Sequence, residues 1–194
     1  MLGKYKGEVA RVAEPVARAM VGLRIRPNQL SCLGLVCSMI AAGAFAADQR
    51  RAGALCLAVA GTLDILDGAL ARVSGQVSPF GAFLDSVLDR YSDLLVLAGL
   101  VFLFARLGRP EVVVAVLLAL IGTLMVSYTR ARAESIDVEC RVGLMERGER
   151  MLALIAGALL DVLVPAIWVV ALGANATALH RIIHTWRATR GVLR

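Results

Sequence analysis

Asp64, Asp67, Asp85 and Asp89 stand in a stretch that is mostly apolar or small. If each half of the stretch is a helix, Asp64 and Asp67 lie within about 60° of each other around the axis. Asp85 and Asp89, one turn apart, lie within about 40°. Each pair therefore shares one face. Between them, Val73-Ser74-Gly75-Gln76-Val77-Ser78-Pro79 carries no charge and has the Gly, Ser and Pro of a reversal. Two helices folded back on each other there would bring the acidic faces together.

Small residues flank the acids at helical spacing. Gly68 follows Asp64 by one turn, Ala71 follows Asp67, and Gly81 precedes Asp85. Such a face leaves a notch beside the carboxylates. Small residues also serve close helix packing in membranes, but packing does not explain the charge. An unpaired acid at mid-membrane costs roughly 3 kcal/mol, so four cost about 12 kcal/mol. Clustered carboxylates also resist ionising together. A divalent cation answers both problems, and an all-oxygen donor set suits a hard ion such as Mg²⁺ or Mn²⁺ better than zinc.

The elements that must hold these groups are membrane helices. Of the 194 residues, 59% are hydrophobic, well above a soluble domain. The expected fold is an all-α, polytopic membrane domain spanning 1–194, with an amphipathic interfacial helix in 1–26 and a six-helix bundle in 27–187. Spans are expected at about 28–47, 52–75, 78–105, 111–133, 149–162 and 164–186. Residues 4–23 place Val9, Val12, Ala13, Val16, Ala17 and Met20 on one stripe, with Lys4, Lys6, Arg11 and Arg18 interleaved. That pattern suits an anionic membrane surface, or a packed partner. Pro15 is expected to kink this helix. No cleavable signal peptide is expected, and no nucleic-acid partner. Cys32, Cys37, Cys56 and Cys140 lack zinc spacing.

Six spans put both termini on one side. Sixteen lysines and arginines fall on that side, and only Arg50, Arg51, Arg106 and Arg109 fall on the other. The bias places the termini and the acids in the cytoplasm, in a multi-pass protein of the cell membrane. Arg130, Arg132, Arg150 and Arg181 would gather at cytoplasmic helix ends, where guanidinium forks can hold phosphate oxygens. Topology alone also enriches such positions in arginine.

Asp64-x2-Asp67-Gly68-x2-Ala71-Arg72-x8-Gly81-x3-Asp85-x3-Asp89 resembles the full signature of the CDP-alcohol phosphotransferases at all eight defining positions. The segments 130–134 and 146–150 resemble the phosphatidylinositol-phosphate synthase branch and its archaeal archaetidylinositol counterpart; better-known members often have Lys where this chain has Arg130. The resemblance implies transfer of a phosphatidyl-type group from a CDP-linked lipid to an alcohol, most simply inositol phosphate, with release of CMP. It implies two Mg²⁺ or Mn²⁺ ions on Asp64, Asp67, Asp85 and Asp89, with Asp89 also the general base. It assigns Asn28, Gln29, Gly68, Ala71, Arg72, Ser78 and Gly81 to the CDP-lipid. It supports Arg130, Arg132 and Arg150 on the acceptor phosphate, where Arg181 is expected to join them from the end of the sixth span, and it implies a homodimer.

Two other functions compete. Glycerol phosphate as acceptor would make a phosphatidylglycerol-phosphate synthase. Intramembrane carboxylates also mark ion or proton carriers, although a carrier has no need of the Gly68, Ala71 and Gly81 notch. His180 and His184 are spaced as metal ligands but have no third ligand nearby, which favours packing or interfacial roles. Trp168 and Trp186 suit interfacial anchoring. Asp93 continues the Asp85 and Asp89 face as a partner for an arginine, and Asp161 belongs to a loop or cap on the outer side.

Overall fold

The computed structural model describes residues 6–23 and 25–190. Lys4, Arg24 and Arg194, and the side chains of Lys6, Val9 and Arg11, lie outside the described residues. Among the described residues seven helices follow in order: α1 Lys6–Gly22, α2 Pro27–Ala46, α3 Arg50–Val73, α4 Pro79–Arg106, α5 Pro110–Glu134, α6 Arg147–Leu159 and α7 Leu163–Arg190. No strand occurs among the described residues.

Helix starts follow local chemistry. Pro27, Pro79 and Pro110 each open a helix, where a missing N–H costs nothing. The Gln29 side-chain oxygen reaches back to accept from Arg26 N at 2.9 Å, a capping-box bond at the head of α2. Ser78 caps α4, its Oγ accepting from Gly81 N at 3.0 Å. Asp48 and Asp161 sit in the turns after α2 and α6 with φ of 62° and 57°, a conformation that Asp tolerates better than most residues.

Among the described residues four helices are long and apolar enough to cross a membrane: α2, α3, α5 and α7. The other two of the six expected spans differ. α4 is long, but it carries Asp85, Asp89, Arg90 and Asp93 between its second turn and its middle. α6 has only 13 residues, about 20 Å at helical rise, against a hydrocarbon core of about 30 Å. Large apolar side chains stay exposed along the long helices, among them Val36 and Ile40 on α2, Leu117 and Ile121 on α5, and Leu172 and Leu179 on α7. Exposed apolar faces of this extent are the mark of a chain solvated by lipid.

The chain divides into two compact units, Met1–Gly99 and Leu100–Arg194. In the first, α3 packs against α2 and α1. Ala13 and Ala17 of α1 are buried with Leu30, Ala69 and Leu70. The stripe read on α1 therefore splits: its alanines face α3, while Val12 and Val16 stay exposed. α1 runs unbroken through Pro15. α4 crosses α2 so closely at Gly99 that a Cβ there would collide with the Ala42 backbone. In the second unit α7 packs on α5 and α6. Asn175 ties α7 to α5, its Nδ2 donating to Leu118 O at 2.8 Å.

Candidate functional site

Asp64, Asp67 and Asp85 bring one carboxylate oxygen each to within 4.8 Å of one another. Two come from α3 and one from α4, so the reversal at 74–78 does what the spacing predicted. Gly75, with φ of 68°, makes that turn in a conformation other side chains resist. Asp67 is the deepest of the three, 5% exposed, while Asp64 and Asp85 are half-buried. Asp89 lies one turn beyond Asp85 and is half-buried, outside that trio. Asp93, a further turn on, is also half-buried.

The deep carboxylate is held by a residue that the spacing did not single out. Ser31 Oγ of α2 donates to Asp67 Oδ2 at 2.6 Å, a charge-assisted contact. Its other acceptor, Pro27 O, is farther away at 3.3 Å, so the hydroxyl proton goes to the carboxylate. That bond fixes the orientation of the Asp67 carboxylate from the α2 side. Three carboxylates with oxygen donors only, one of them buried and oriented from behind, fit a hard divalent ion better than zinc.

Around the acids the small residues make room. A Cβ on residue 81 would lie 3.0 Å from Ser78 Oγ and 3.6 Å from Asn28 Oδ1, so Gly81 keeps the space beneath both side chains clear. Arg72 folds back over Gly68, with Nη1 3.5 Å from where a Cβ would stand. Ala71 is half-buried, and Arg72, Ser78 and Asn28 are exposed. Gln29 is exposed and its side-chain oxygen is engaged by its own helix cap. Ser78 accepts from Gly81 N and so keeps its hydroxyl proton to donate.

The four arginines separate into two kinds. Arg130 and Arg132 end α5: Arg130 Nε pairs with Glu134 at 2.8 Å, and Arg132 Nη1 donates to Ser135 Oγ at 3.2 Å. Arg150 and Arg181 are buried, at 4% and 2% exposed. Arg150 Nη1 donates to Met145 O at 3.2 Å. Arg181 donates to Val142 O at 2.8 Å and to Val126 O at 2.6 Å, with Glu146 at 3.6 Å. Glu146 acts electrostatically on both Arg130 and Arg181, and Arg130 and Arg150 both act on Arg181. The second unit thus holds a basic group of Arg130, Arg150 and Arg181 with Glu146 beside it. His180 is exposed; His184 Nε2 lies 3.0 Å from Glu139 O, a hydrogen bond to the backbone. Trp168 and Trp186 are exposed, and Arg190 stacks over Trp186 at 3.9 Å.

Comparison with known proteins agrees with the acidic run. The family model for CDP-alcohol phosphatidyltransferase matches residues 24–186. The archaetidylinositol phosphate synthase of Pyrococcus horikoshii is 37% identical over 183 residues, covering 94% of this chain and 95% of that one. The phosphatidylinositol phosphate synthase of Mycobacteroides abscessus is 34% identical over 193 residues, covering 95% and 87%. The crystal structure of the Mycobacterium tuberculosis phosphatidylinositol phosphate synthase with CDP-DAG bound is similar, with a TM-score of 0.84 at 30% identity over 91% of this chain and 94% of that one. The same enzyme in complex with manganese and citrate gives a TM-score of 0.83 at 31% identity, covering 90% and 88%. With its aspartate signature intact and most of its length matched, the chain belongs to the CDP-alcohol phosphatidyltransferase family.

Proposed function

We propose that this protein transfers the phosphatidyl-type group of a CDP-linked lipid, CDP-diacylglycerol or CDP-archaeol, to a hydroxyl of inositol phosphate and releases CMP. The convergence of Asp64, Asp67 and Asp85 carries the transferase reading. Relatives named for phosphatidylinositol phosphate and for archaetidylinositol phosphate support inositol phosphate as acceptor. The uninterrupted match over 24–186 supports one catalytic domain rather than two. In this reading α2 to α7 are the six spans and α1 lies at the interface. The termini and the acids face the cytoplasm of the cell membrane, and the enzyme works as a homodimer.

Asp64, Asp67, Asp85 and Asp89 would hold Mg²⁺ or Mn²⁺, two ions in all, which would supply neutralisation of the diphosphate and of the departing phosphate. The chain's own groups do the rest. Asn28, Gln29, Gly68, Ala71, Arg72, Ser78 and Gly81 bind the CDP group: Arg72 offers its guanidinium, Ser78 its hydroxyl proton, and the small residues the room. Arg130, Arg132, Arg150 and Arg181 hold the acceptor phosphate, half-buried Arg130 and exposed Arg132 reaching it and the buried pair adding charge beneath. Asp89 takes the proton from the acceptor hydroxyl as its oxygen attacks the lipid-side phosphorus. A new P–O bond forms, the bond to CMP breaks, and CMP carries away the electron pair.

The test is CMP release by the purified protein with Mn²⁺ and CDP-diacylglycerol or CDP-archaeol, in the presence of inositol phosphate, glycerol phosphate or no acceptor. Release dependent on inositol phosphate is expected. Dependence on glycerol phosphate alone would reassign the acceptor, and no CMP from any mixture would return the acids to an ion-carrier role. Arg130→Ala should raise the KM for inositol phosphate about tenfold, the worth of one charged hydrogen bond, and leave that for the CDP-lipid nearly unchanged. Equal effects on both would argue against an acceptor role for Arg130.

A further inference from the structure

The connection between α5 and α6, residues 135–146, has no regular structure beyond the turn that closes α5. Backbone groups in such a stretch need partners from elsewhere. From Glu139 onward, four of them find partners on one helix. Thr177 Oγ1 accepts from Met145 N at 3.1 Å and, more loosely, from Leu144 N at 3.4 Å. Arg181 Nε donates to Val142 O at 2.8 Å, and His184 Nε2 to Glu139 O at 3.0 Å. Positions 177, 181 and 184 are successive turns of one α7 face. Gly143 adds independent support. Its φ is 122°, and a Cβ there would overlap Thr177 Cγ2, so the connection lies directly against α7 at that point. Thr177 is 3% exposed, so its hydroxyl serves the chain rather than solvent.

This clasp has a functional address. The clasped stretch runs straight into Glu146, the carboxylate beside the basic group, and into Arg147 and Arg150 at the head of α6. We infer that Thr177 and His184 are positioning residues for the acceptor: on either side of Arg181 they fasten 139–145 to α7, so the phosphate-holding arginines stand ready before the acceptor arrives. This rests on the acceptor role proposed for Arg130, Arg132, Arg150 and Arg181. An irregular segment left free would have to be ordered by the incoming phosphate, at the expense of affinity. The clasp therefore bears on acceptor KM, and not on CDP-lipid KM or on metal requirement.

The experiment uses the full-length protein in bilayer discs with Mn²⁺, comparing wild type, Thr177→Val, Thr177→Ser and His184→Phe. Valine keeps the shape of threonine and removes the acceptor oxygen; serine restores it. Acceptor KM, CDP-diacylglycerol KM and the rate of trypsin cleavage after Arg141 are read together. Arg141 lies inside the clasped stretch with its side chain 79% exposed. Thr177→Val is expected to raise the KM for inositol phosphate about tenfold, leave the KM for the CDP-lipid within about twofold, and speed cleavage after Arg141; Thr177→Ser should reverse all of these changes. Unchanged cleavage would show that no clasp exists. Faster cleavage with unchanged acceptor KM, or equal rises in both KM values, would show a merely structural tether; either result overturns the inference. His184→Phe makes the same comparison at the edge of the clasp should Thr177→Val fail to fold. If wild type ignores inositol phosphate the acceptor assignment falls, and the clasp is then judged by cleavage and by the KM of the phosphorylated acceptor that wild type does use.

Discussion

Asp67→Asn should abolish CMP release while the protein stays folded. Asparagine keeps the size of the side chain and can still accept from Ser31, whose Oγ stands 2.6 Å from Oδ2. The substitution removes one negative charge from three carboxylates whose oxygens gather within 4.8 Å. Without bound cation that loss relieves repulsion, so the cation-free melting temperature should hold or rise. The cost falls on cation binding, and with it on several kcal/mol of charge stabilisation during transfer, about three orders of magnitude in rate or more. Two measurements check it on one sample: CMP release, and the melting temperature with and without Mn²⁺. Wild type should gain about 2.7 kcal/mol of stability at a Mn²⁺ concentration about 100 times its Kd, and Asp67→Asn should gain little. Activity within tenfold of wild type at matched Mn²⁺ would remove Asp67 from the site.

Asp89→Asn should lower turnover by roughly 10² to 10⁴, the usual contribution of a positioned general base. Asp89 lies one turn past Asp85 on α4 and outside the trio of converging carboxylates. The trio survives the substitution, so stabilisation by Mn²⁺ should persist at reduced stoichiometry. That combination separates a base from a ligand. Turnover at the wild-type level would reject the base assignment, and loss of all Mn²⁺ stabilisation along with turnover would make Asp89 a ligand alone.

Much of this arrangement was legible before any fold was known, and the misses have physical reasons. Helical spacing told correctly that Asp64 shares a face with Asp67, because that relation lies within one helix. On α1 the same reasoning found the apolar stripe but not its division. Periodicity defines an arc around an axis, whereas which part of the arc is covered depends on how near α3 comes, and the small Ala13 and Ala17 permit that approach where Val12 and Val16 stay outside. Gln29 shows the reverse case. Its Gln-at-N3 position was a readable capping signal, yet it was weighed only as a nucleotide contact; the structure places its oxygen on Arg26 N. Arg150 and Arg181 were read alongside Arg130 and Arg132 as basic residues at helix ends, and sequence carries no measure of depth. Burial to 4% and 2%, with backbone carbonyls as partners, separates them from half-buried Arg130 and exposed Arg132, whose partners are the side chains of Glu134 and Ser135.

The sequence by itself determined the class of chemistry: four aspartates and their small neighbours at helical spacing, in a chain more apolar than a soluble domain. It also determined helices, reversals and caps, since these depend on residues a few positions apart. Only the tertiary structure decided that Asp64, Asp67 and Asp85 form the converging trio, that Ser31 steers the deepest of them, and that one face of α7 fastens the segment leading to Arg150. Those facts depend on how far each helix is rotated and slid against its neighbours. Contacts such as Gly99 against the Ala42 backbone, or Asn175 on Leu118 O, join residues dozens of positions apart, a distance over which no local periodicity carries information.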